Sequence, residues 1–323
     1  MTTPTSDVPR LDDLPRERVA EAAALLDLHA VAGRAGDRSD PATVAAVVGA
    51  EQLRLLVDAR PDQAGPVAAW LRALGADGPV EPPPALAGDL AGWVAEAVAH
   101  VVVGLGRRDD ERRADARVVN VEAGRHVIAT DEPLLRAAIR AGHRSLAAMP
   151  YYEMRYGSRG RRFTGSDSAW LAGLVTRPAG VVREQVEWLA VVLAVRGMPS
   201  WLLERHLVEL GGEIAATVPA ADAGVLLAAA DHLAARRRTA VDDAALDDAD
   251  RVLVGHLDGA PVAVPRAGAL LAAAAADVAT GVTEDDTACA DWLADPHRGG
   301  GTWSRAVAQV RAQLSATVGR RAR

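Results

Sequence analysis

The apolar residues of this chain are almost all aliphatic, and this property restricts the folds that it can adopt. Hydrophobic residues make up 50% of the 323 residues, whereas aromatic residues make up only 3%. A core of Ala, Val and Leu is typical of closely packed helices, because Ala and Leu favour the helical backbone. Residues that favour strands, such as Ile, Tyr, Phe and Thr, are scarce. We therefore predict a mainly α-helical protein, built as bundle-like layers of helices.

The charge and the cysteine content bear on where the protein works. The formal net charge of -7 is mild for this length and argues against a general nucleic-acid-binding surface. Cys289 is the single cysteine, so no internal disulfide can form, which fits a reducing compartment. The N-terminus lacks a basic start followed by an apolar run, and no apolar stretch approaches the ~18 residues of a membrane span. We expect a cytoplasmic protein without a secretory signal and without a membrane partner.

Several common enzyme classes are excluded by residues that the chain lacks. All 36 basic residues are Arg, so a Schiff-base lysine, a Walker A lysine and a kinase-type phosphate lysine cannot occur. The third glycine of a dinucleotide-binding motif is missing after Gly104 and Gly106. No Gly-x-Ser-x-Gly nucleophile elbow occurs either. The sequence therefore does not point to a familiar catalytic motif.

Helix start and stop signals divide the chain into five parts. These are a disordered tail over 1–10, an N-terminal helical region over 11–106, a charged linker over 107–117, a central helical module over 118–220, and a C-terminal helical region with a hairpin over 221–323. In the first helical region, Asp40 followed by Pro41 predicts an N-cap and the first residue of a helix. In the central module, Val181 to Arg196 has the clearest amphipathic pattern, with Trp188 on one face.

Two stretches near 118–129 and 251–264 have the pattern of short β-hairpins. In the first, valine-rich arms flank Gly124, and in the second Asp258 and Gly259 lie between two Val-containing arms. A proline and an Ala/Leu-rich helix follow each of them, so a duplication and a coincidence of pattern both remain open. We predict two short hairpins within the helical fold.

The stretch from Pro150 to Trp170 concentrates the unusual residues of the chain. It contains all three tyrosines, the single phenylalanine and four arginines. Guanidinium groups beside aromatic rings can hold a phosphate, a carboxylate or a stacked base. The alternative is an interhelical loop or elbow, whose tyrosines plug into the core and whose arginines pair with surface carboxylates. The candidate ligand-binding residues, together with a histidine of the central module, are Tyr152, Arg155, Tyr156, Arg159, Arg162 and His206.

Other patterns give weaker signals. No histidine has a second histidine three or four residues away, and the acidic runs lack the spacing of known Asp-rich motifs, so we predict no metal site. His206 and His143 are the first candidates for an axial cofactor ligand, although no cofactor is expected. The glycines at 299–301, beside Arg298 and Arg305, can present amide N–H groups to an anion or form a flexible linker.

These observations support three hypotheses about function. The first is a non-catalytic regulatory or adaptor protein that acts through helix-face contacts with another protein and senses a small anionic or planar ligand. The second is an enzyme that uses Arg to bind a carboxylate or phosphate and Tyr156 or His206 as acid or base. The third is a helical sensor that binds haem or another tetrapyrrole.

Overall fold

The computed structural model describes residues 16–31, 40–75, 89–108, 114–219 and 221–321. The predicted tail over 1–10 lies outside the described residues, as do residues 109–113 of the predicted charged linker. The described part of the chain is mainly α-helical, which confirms this part of the predicted fold class. Its α-helices are α1 (Arg16–Val31), α2 (Pro41–Ala59), α3 (Ala64–Gly75), α4 (Asp89–Arg108), α5 (Glu132–Ala148), α6 (Tyr151–Gly173), α7 (Ala179–Val195), α8 (Ser200–Thr217), α9 (Gly224–Arg238), α10 (Asp243–His256), α11 (Ala267–Ala279), α12 (Thr287–Ala294) and α13 (Pro296–Arg321).

The start of α2 shows how the sequence sets a helix boundary. The Asp40 carboxylate accepts the backbone N–H of Thr43 at 3.2 Å and its hydroxyl at 2.8 Å. Pro41 occupies the first turn, where its missing N–H costs nothing. The predicted cap is therefore confirmed.

The chain divides into two compact units, and α6 contributes to both. Unit 1 contains the described residues of Met1–His143 together with Ser158–Leu174 and Ala216–Pro219. Unit 2 contains Arg144–Gly157, Val175–Ala215 and the described residues of Ala220–Arg323. The five domain boundaries drawn from the sequence stay predictions.

Small residues let the helices of unit 1 approach closely. Helices α2 and α4 pack against each other, and a Cβ atom at Gly104 would lie 2.8 Å from the carbonyl oxygen of Pro41. The same core buries one carboxylate, Glu51, which accepts hydrogen bonds from Arg136 at 2.8 Å and Arg140 at 2.9 Å. These bonds compensate the charge that burial would otherwise leave unpaired.

Unit 2 has a second core, formed mainly by α10, α11 and α13. The alanine-rich helix α11 is buried along almost its whole length, and a Cβ atom at Gly268 would overlap the backbone of Ala249. The large side chains of Tyr151 and Trp303 are fully buried in this core, where the Trp303 indole N–H donates to the Leu293 carbonyl at 2.6 Å. A scarcity of aromatic residues is thus compatible with a dense core, because Ala and Gly bring the helices together.

The predicted hairpin near 118–129 is wrong. No strand occurs in the described residues, and this stretch contains only one antiparallel bridge, between Asp115 and Val127. Val118 and Val119 are both buried, whereas neighbouring residues of a half-buried strand would alternate between core and solvent. The backbone N–H of Ala129 instead donates to the carbonyl of Ala169 in α6 at 2.9 Å. The stretch is an irregular segment that packs on helices of unit 1.

The predicted hairpin near 251–264 is also wrong. Its first arm belongs to α10, whose Leu246, Ala249 and Leu253 recur at helical spacing and are buried. The Asp-Gly signal does mark a turn, since Asp258 and Gly259 have φ values of 48° and 83°. This left-handed pair follows the end of a helix rather than joining two strands.

Candidate functional site

The stretch that the sequence singled out is helical and is interrupted at Gly157. Helix α6 runs from Tyr151 to Gly173, but Gly157 has φ 54° and ψ -142°, a conformation that side chains with a Cβ atom rarely adopt. The interhelical loop considered from the sequence is therefore wrong, whereas an elbow is present. Because unit 2 includes Gly157 and unit 1 resumes at Ser158, the four arginines of the stretch belong to two different units.

Arg155, in the part of α6 before the break, lies among aromatic rings of unit 2. Its guanidinium group donates to the Tyr151 hydroxyl at 2.6 Å and to the Arg196 carbonyl at 3.1 Å. The Tyr156 hydroxyl donates to the same carbonyl at 2.6 Å, and the Tyr151 hydroxyl donates to the Gly197 carbonyl. These bonds fix the first turn of α6 against the C-terminal end of α7.

Two residues of the C-terminal region complete this group. The Arg155 guanidinium carbon lies 5.5 Å from the centroid of the Trp292 ring, and that of Arg298 lies 3.3 Å from it. Arg298 is held by a hydrogen bond from its Nε atom to the Trp292 carbonyl at 2.8 Å. The Tyr151 ring meets Trp292 edge to face at 5.1 Å. We call Arg155, Tyr156, Trp292 and Arg298 the Trp292 cluster.

The positive charge of the Trp292 cluster is only partly compensated. Among the described residues, neither Arg155 nor Arg298 forms an ion pair with a carboxylate. Burial lowers the pKa of Arg298, the nearby Asp295 carboxylate opposes this shift in part, and the Arg155 charge adds to it to a smaller extent. The Asp295 carboxylate accepts the backbone N–H of His297 at 3.0 Å. An anion would therefore relieve the repulsion between the two guanidinium groups.

The Gly197 backbone allows Arg155 to reach its position. Gly197 has φ 82°, and a Cβ atom there would lie 2.5 Å from Arg155 Nη2 and 2.8 Å from the carbonyl carbon of Ala288. Only glycine fits this combination of positive φ and close approach. The turn after α7 is thus shaped around the Arg155 guanidinium group.

Cys289 lies beside the Trp292 cluster but is not a nucleophile. Its thiol is buried and lies 3.7 Å from the Tyr151 hydroxyl, and burial raises its pKa to about 12. A thiolate, the reactive form, is strongly disfavoured at neutral pH. Cys289 therefore acts as a small apolar residue of the core.

The arginines after the break have carboxylate partners in unit 1. Arg159 donates from Nε to Glu122 at 2.8 Å, and Arg162 lies 3.9 Å from the same carboxylate and 3.6 Å from Glu96. Arg161 lies 3.7 Å from Glu96 and 4.4 Å from the centroid of the Trp93 ring. Burial raises the pKa of Glu96, and the positive charges of Arg161 and Arg162 oppose this rise only in part. Each of these arginines thus has a carboxylate within 4 Å, whereas neither Arg155 nor Arg298 forms such an ion pair among the described residues.

Tyr152 and His206 belong to a third location, in unit 2. Tyr152 lines a cavity of about 10 Å³, the space of one water molecule, together with Arg205 and Glu209. The Nδ1 atom of the buried His206 ring shares a hydrogen bond of 2.8 Å with the Ser145 hydroxyl. Burial lowers the pKa of His206 to about 4. His206 is therefore neutral at physiological pH and enclosed by the core.

The predicted site residues are thus brought together only in part. Arg155 and Tyr156 are in one cluster, Arg159 and Arg162 share Glu122, and Tyr152 and His206 lie elsewhere. Their role in ligand binding stays a prediction. Trp292 carried no sequence signal for this role, and Arg298 was indicated only as a neighbour of the glycine run at 299–301.

The described residues contain neither a cluster of metal-binding side chains nor a membrane-spanning helix. The described residues contain no group of three or more His, Cys, Asp and Glu residues that could hold a metal ion. His143, an axial-ligand candidate, meets the Trp93 ring edge to face at 6.5 Å. Across the described ranges, none of the helices combines the length and the apolar character that crossing a bilayer requires.

Unit 2 also buries an ion-pair network that is already saturated. Arg237 donates to Glu204 at 2.9 Å and 3.0 Å, to Asp243, and to the Val241 carbonyl at 2.9 Å. Such a network fixes helix positions and leaves few donors for a ligand. The Trp292 cluster is therefore the better candidate for binding.

Comparison of the chain with protein-family models, with curated proteins and with solved structures gave no match.

Proposed function

We propose that the protein is a non-catalytic regulatory or adaptor protein that pairs with a second copy of itself through an exposed face of α7 and senses a small anion at the Trp292 cluster. The observation that carries the proposal is a line of exposed apolar side chains along one face of α7. The relative exposures are 41% at Val181, 49% at Trp188, 41% at Val191 and 61% at Val195. Exposed apolar surface of this kind marks contact sites.

The spacing of this face is that of a helix–helix seam. Val181, Trp188 and Val195 follow each other at seven-residue intervals, and Glu184 and Val191 occupy the positions between them. This is the a/d pattern of a coiled coil. The opposite face of the same helix, with Val182, Val186, Leu189 and Leu193, is buried in unit 2. We call Val181, Glu184, Trp188, Val191 and Val195 the α7 stripe.

The α7 stripe is complementary to itself in an antiparallel pairing. In such a pairing each a position faces a d position of the other helix, so Trp188 lies opposite Val191 of the second copy and Glu184 lies opposite Val195 of the second copy. The large Trp188 side chain thereby meets a smaller Val in two symmetric layers. A two-fold axis between the two helices gives both copies the same set of contacts.

The charges at the two ends of the stripe favour the same register. Glu184 and Arg196 are both exposed, and neither has an ionic partner among the described residues. Antiparallel pairing places Glu184 of each copy beside Arg196 of the other, whereas parallel pairing places like charges together. Opposite charges at flanking positions set the orientation of paired helices.

Changing one residue of the stripe tests the proposal. We expect the wild-type protein to dimerise reversibly, with a dissociation constant on the order of micromolar because one helix face is a small interface. Val191→Glu places a charge opposite Trp188 and should abolish the dimer. Sedimentation velocity over a range of protein concentrations measures the association.

Val254→Glu is the matched control, because Val254 is also an exposed valine on a helix of unit 2, at 55% exposure. This variant should dimerise like the wild type. A wild-type protein that stays monomeric at all concentrations, or a dimer that survives Val191→Glu, contradicts the proposal.

The enzyme and haem hypotheses gain less support from the geometry. Tyr156 donates its hydroxyl proton to a backbone carbonyl, and burial raises its pKa. His206 is enclosed by the core and bonded to Ser145. Neither group is placed as an accessible acid, base or axial ligand.

A further inference from the structure

We propose that the Trp292 cluster is a binding site for a phosphate-type dianion, held between the guanidinium groups of Arg155 and Arg298. This inference deepens the proposed function by naming the ligand, and it relies on that function only for the consequence of binding.

The two guanidinium groups of the cluster point to a dianion. The two guanidinium carbons lie 5.5 Å and 3.3 Å from the same ring centroid, so their separation cannot exceed the sum of these distances. Neither group forms an ion pair with a carboxylate among the described residues, although the Asp295 carboxylate lies near enough to Arg298 to raise its pKa. Two adjacent positive charges match the two negative charges of a phosphate monoester or of hydrogen phosphate.

Both guanidinium groups are held in place by hydrogen bonds and still have N–H groups that can donate to a ligand. Arg155 uses one N–H for the Tyr151 hydroxyl and one for the Arg196 carbonyl. Arg298 uses its Nε–H for the Trp292 carbonyl, which leaves its two terminal nitrogens without an acceptor among the described residues. Prior ordering of these side chains reduces the entropy that a ligand must overcome.

The cluster favours binding through hydrogen bonds rather than through stacking. Arg298 already lies 3.3 Å from the centroid of the Trp292 ring, and the Tyr151 ring meets the same indole edge to face. Little of the indole is left for a planar group of the ligand. The recognised part is therefore the phosphate group, and the positive charge of Arg298, disfavoured by burial and by Arg155, is stabilised when the anion binds.

The site is joined to the α7 stripe through one residue. The Arg196 carbonyl accepts from Arg155 and Tyr156, while the Arg196 side chain lies beside the end of the stripe. An anion bound to Arg155 therefore contacts a side chain that is hydrogen-bonded to the residue directly after α7. This is the link by which binding would alter pairing.

Calorimetric titration with inorganic phosphate tests the site directly. The titration is made on the Val191→Glu background as well as on the wild type, so that binding is measured whether or not the protein pairs. We expect the wild type to bind inorganic phosphate with a dissociation constant of millimolar or lower. Arg298→Gln removes one guanidinium group and should weaken binding about tenfold or more.

Arg305→Gln is the matched control, because Arg305 is an exposed arginine of α13 whose guanidinium group donates only to Thr302 among the described residues. It should bind phosphate like the wild type. Arg155→Lys retains the charge but loses the fork of donors, and should bind several-fold more weakly. This conservative variant provides a second test if Arg298→Gln does not fold.

A parallel titration with adenosine monophosphate separates the sources of the phosphate group. Tighter binding than that of inorganic phosphate identifies a nucleotide, and equal binding identifies the phosphate group alone; both results support the site. A wild type that binds neither at about 10 mM overturns the proposal, as does Arg298→Gln binding phosphate as tightly as Arg305→Gln does.

Discussion

At the scale of single residues, a buried carboxyl group makes a link between two helices. Asp277 of α11 accepts the backbone N–H of Ser200, the first residue of α8, at 2.8 Å and also accepts the Ser200 hydroxyl. Burial raises the pKa of Asp277 to about 6, although Ser200 and Arg236 oppose this shift and Glu204 adds to it. Asp277 therefore caps a helix to which it is remote in sequence and takes up a proton at mildly acidic pH.

The raised pKa predicts a particular pH dependence of stability. An acid whose pKa is higher in the folded state stabilises the fold fully below its unfolded value of 3.8, and this contribution is lost as the pH rises through about 6. The change amounts to roughly 3 kcal/mol at most. Asp277→Asn cannot ionise, so we expect its free energy of unfolding to lack this decrease.

The measurement is urea unfolding of the wild type and of Asp277→Asn between pH 4 and pH 7. This range extends from near the unfolded pKa of Asp277, 3.8, to above its folded pKa of about 6. His100 and His206, with pKa values lowered to about 4 by burial, act in the opposite direction, because their neutral forms are lost as the pH falls. They are present in both proteins and cancel in the difference. A difference that does not change with pH would rule out the assignment to Asp277.

Some residue roles could be predicted from the sequence and others could not. The Asp40 cap follows from two neighbouring residues, because an N-cap side chain and the backbone N–H groups that donate to it are close in sequence. The Asp277 cap and the Arg298 position join residues far apart in the chain, so no local pattern indicates them. Hydrophobic spacing did locate α7, but it could not say that the face bearing Trp188 is exposed.

At the scale of helices, Gly157 determines how α6 is divided. Its φ of 54° and ψ of -142° lie in a region that is open to glycine, and no atom would meet an added Cβ within 4 Å. A change to alanine therefore tests the backbone conformation alone, without a steric clash.

We expect Gly157→Ala to lower the free energy of unfolding by roughly 1–3 kcal/mol, the usual cost of a strained backbone conformation. Gly180→Ala is the control, since Gly180 lies in the first turn of α7 and also has no neighbour within 4 Å. That variant should be as stable as the wild type or slightly more so, because Ala favours a helix. Urea unfolding followed by circular dichroism compares them, and equal stability of the two variants would exclude strain at Gly157.

The hairpin prediction near 251–264 failed for a reason at the scale of helices. Valine-containing arms around Asp-Gly satisfy the local signal of a hairpin, but Leu246, Ala249 and Leu253 also satisfy the helical signal. Burial against α11 decides between the two patterns, and such burial is a tertiary property. The helical fold class was predictable because the amino-acid composition of the whole chain favours helices.

At the scale of the whole molecule, the proposed function depends on how two copies pair. The α7 stripe supplies the apolar surface, and Glu184 and Arg196 supply the polarity that sets an antiparallel register. The sequence suggested helix-face contacts in general terms. The particular face became evident only when the buried side of α7 was known, since both sides of this helix are apolar.

The most direct test of this account is a charge exchange, measured as the dissociation constant of the dimer by sedimentation equilibrium. The two-fold axis repeats the contact between Glu184 of one copy and Arg196 of the other, so the dimer contains two such ion pairs. Either single change, Glu184→Arg or Arg196→Glu, turns both attractive pairs into repulsive ones and should weaken the dimer about tenfold. The double variant restores opposite charges in the antiparallel register, so its dissociation constant should return to near the wild-type value. Weakening that adds up in the double variant, or single changes without effect, would contradict the pairing of α7 with itself.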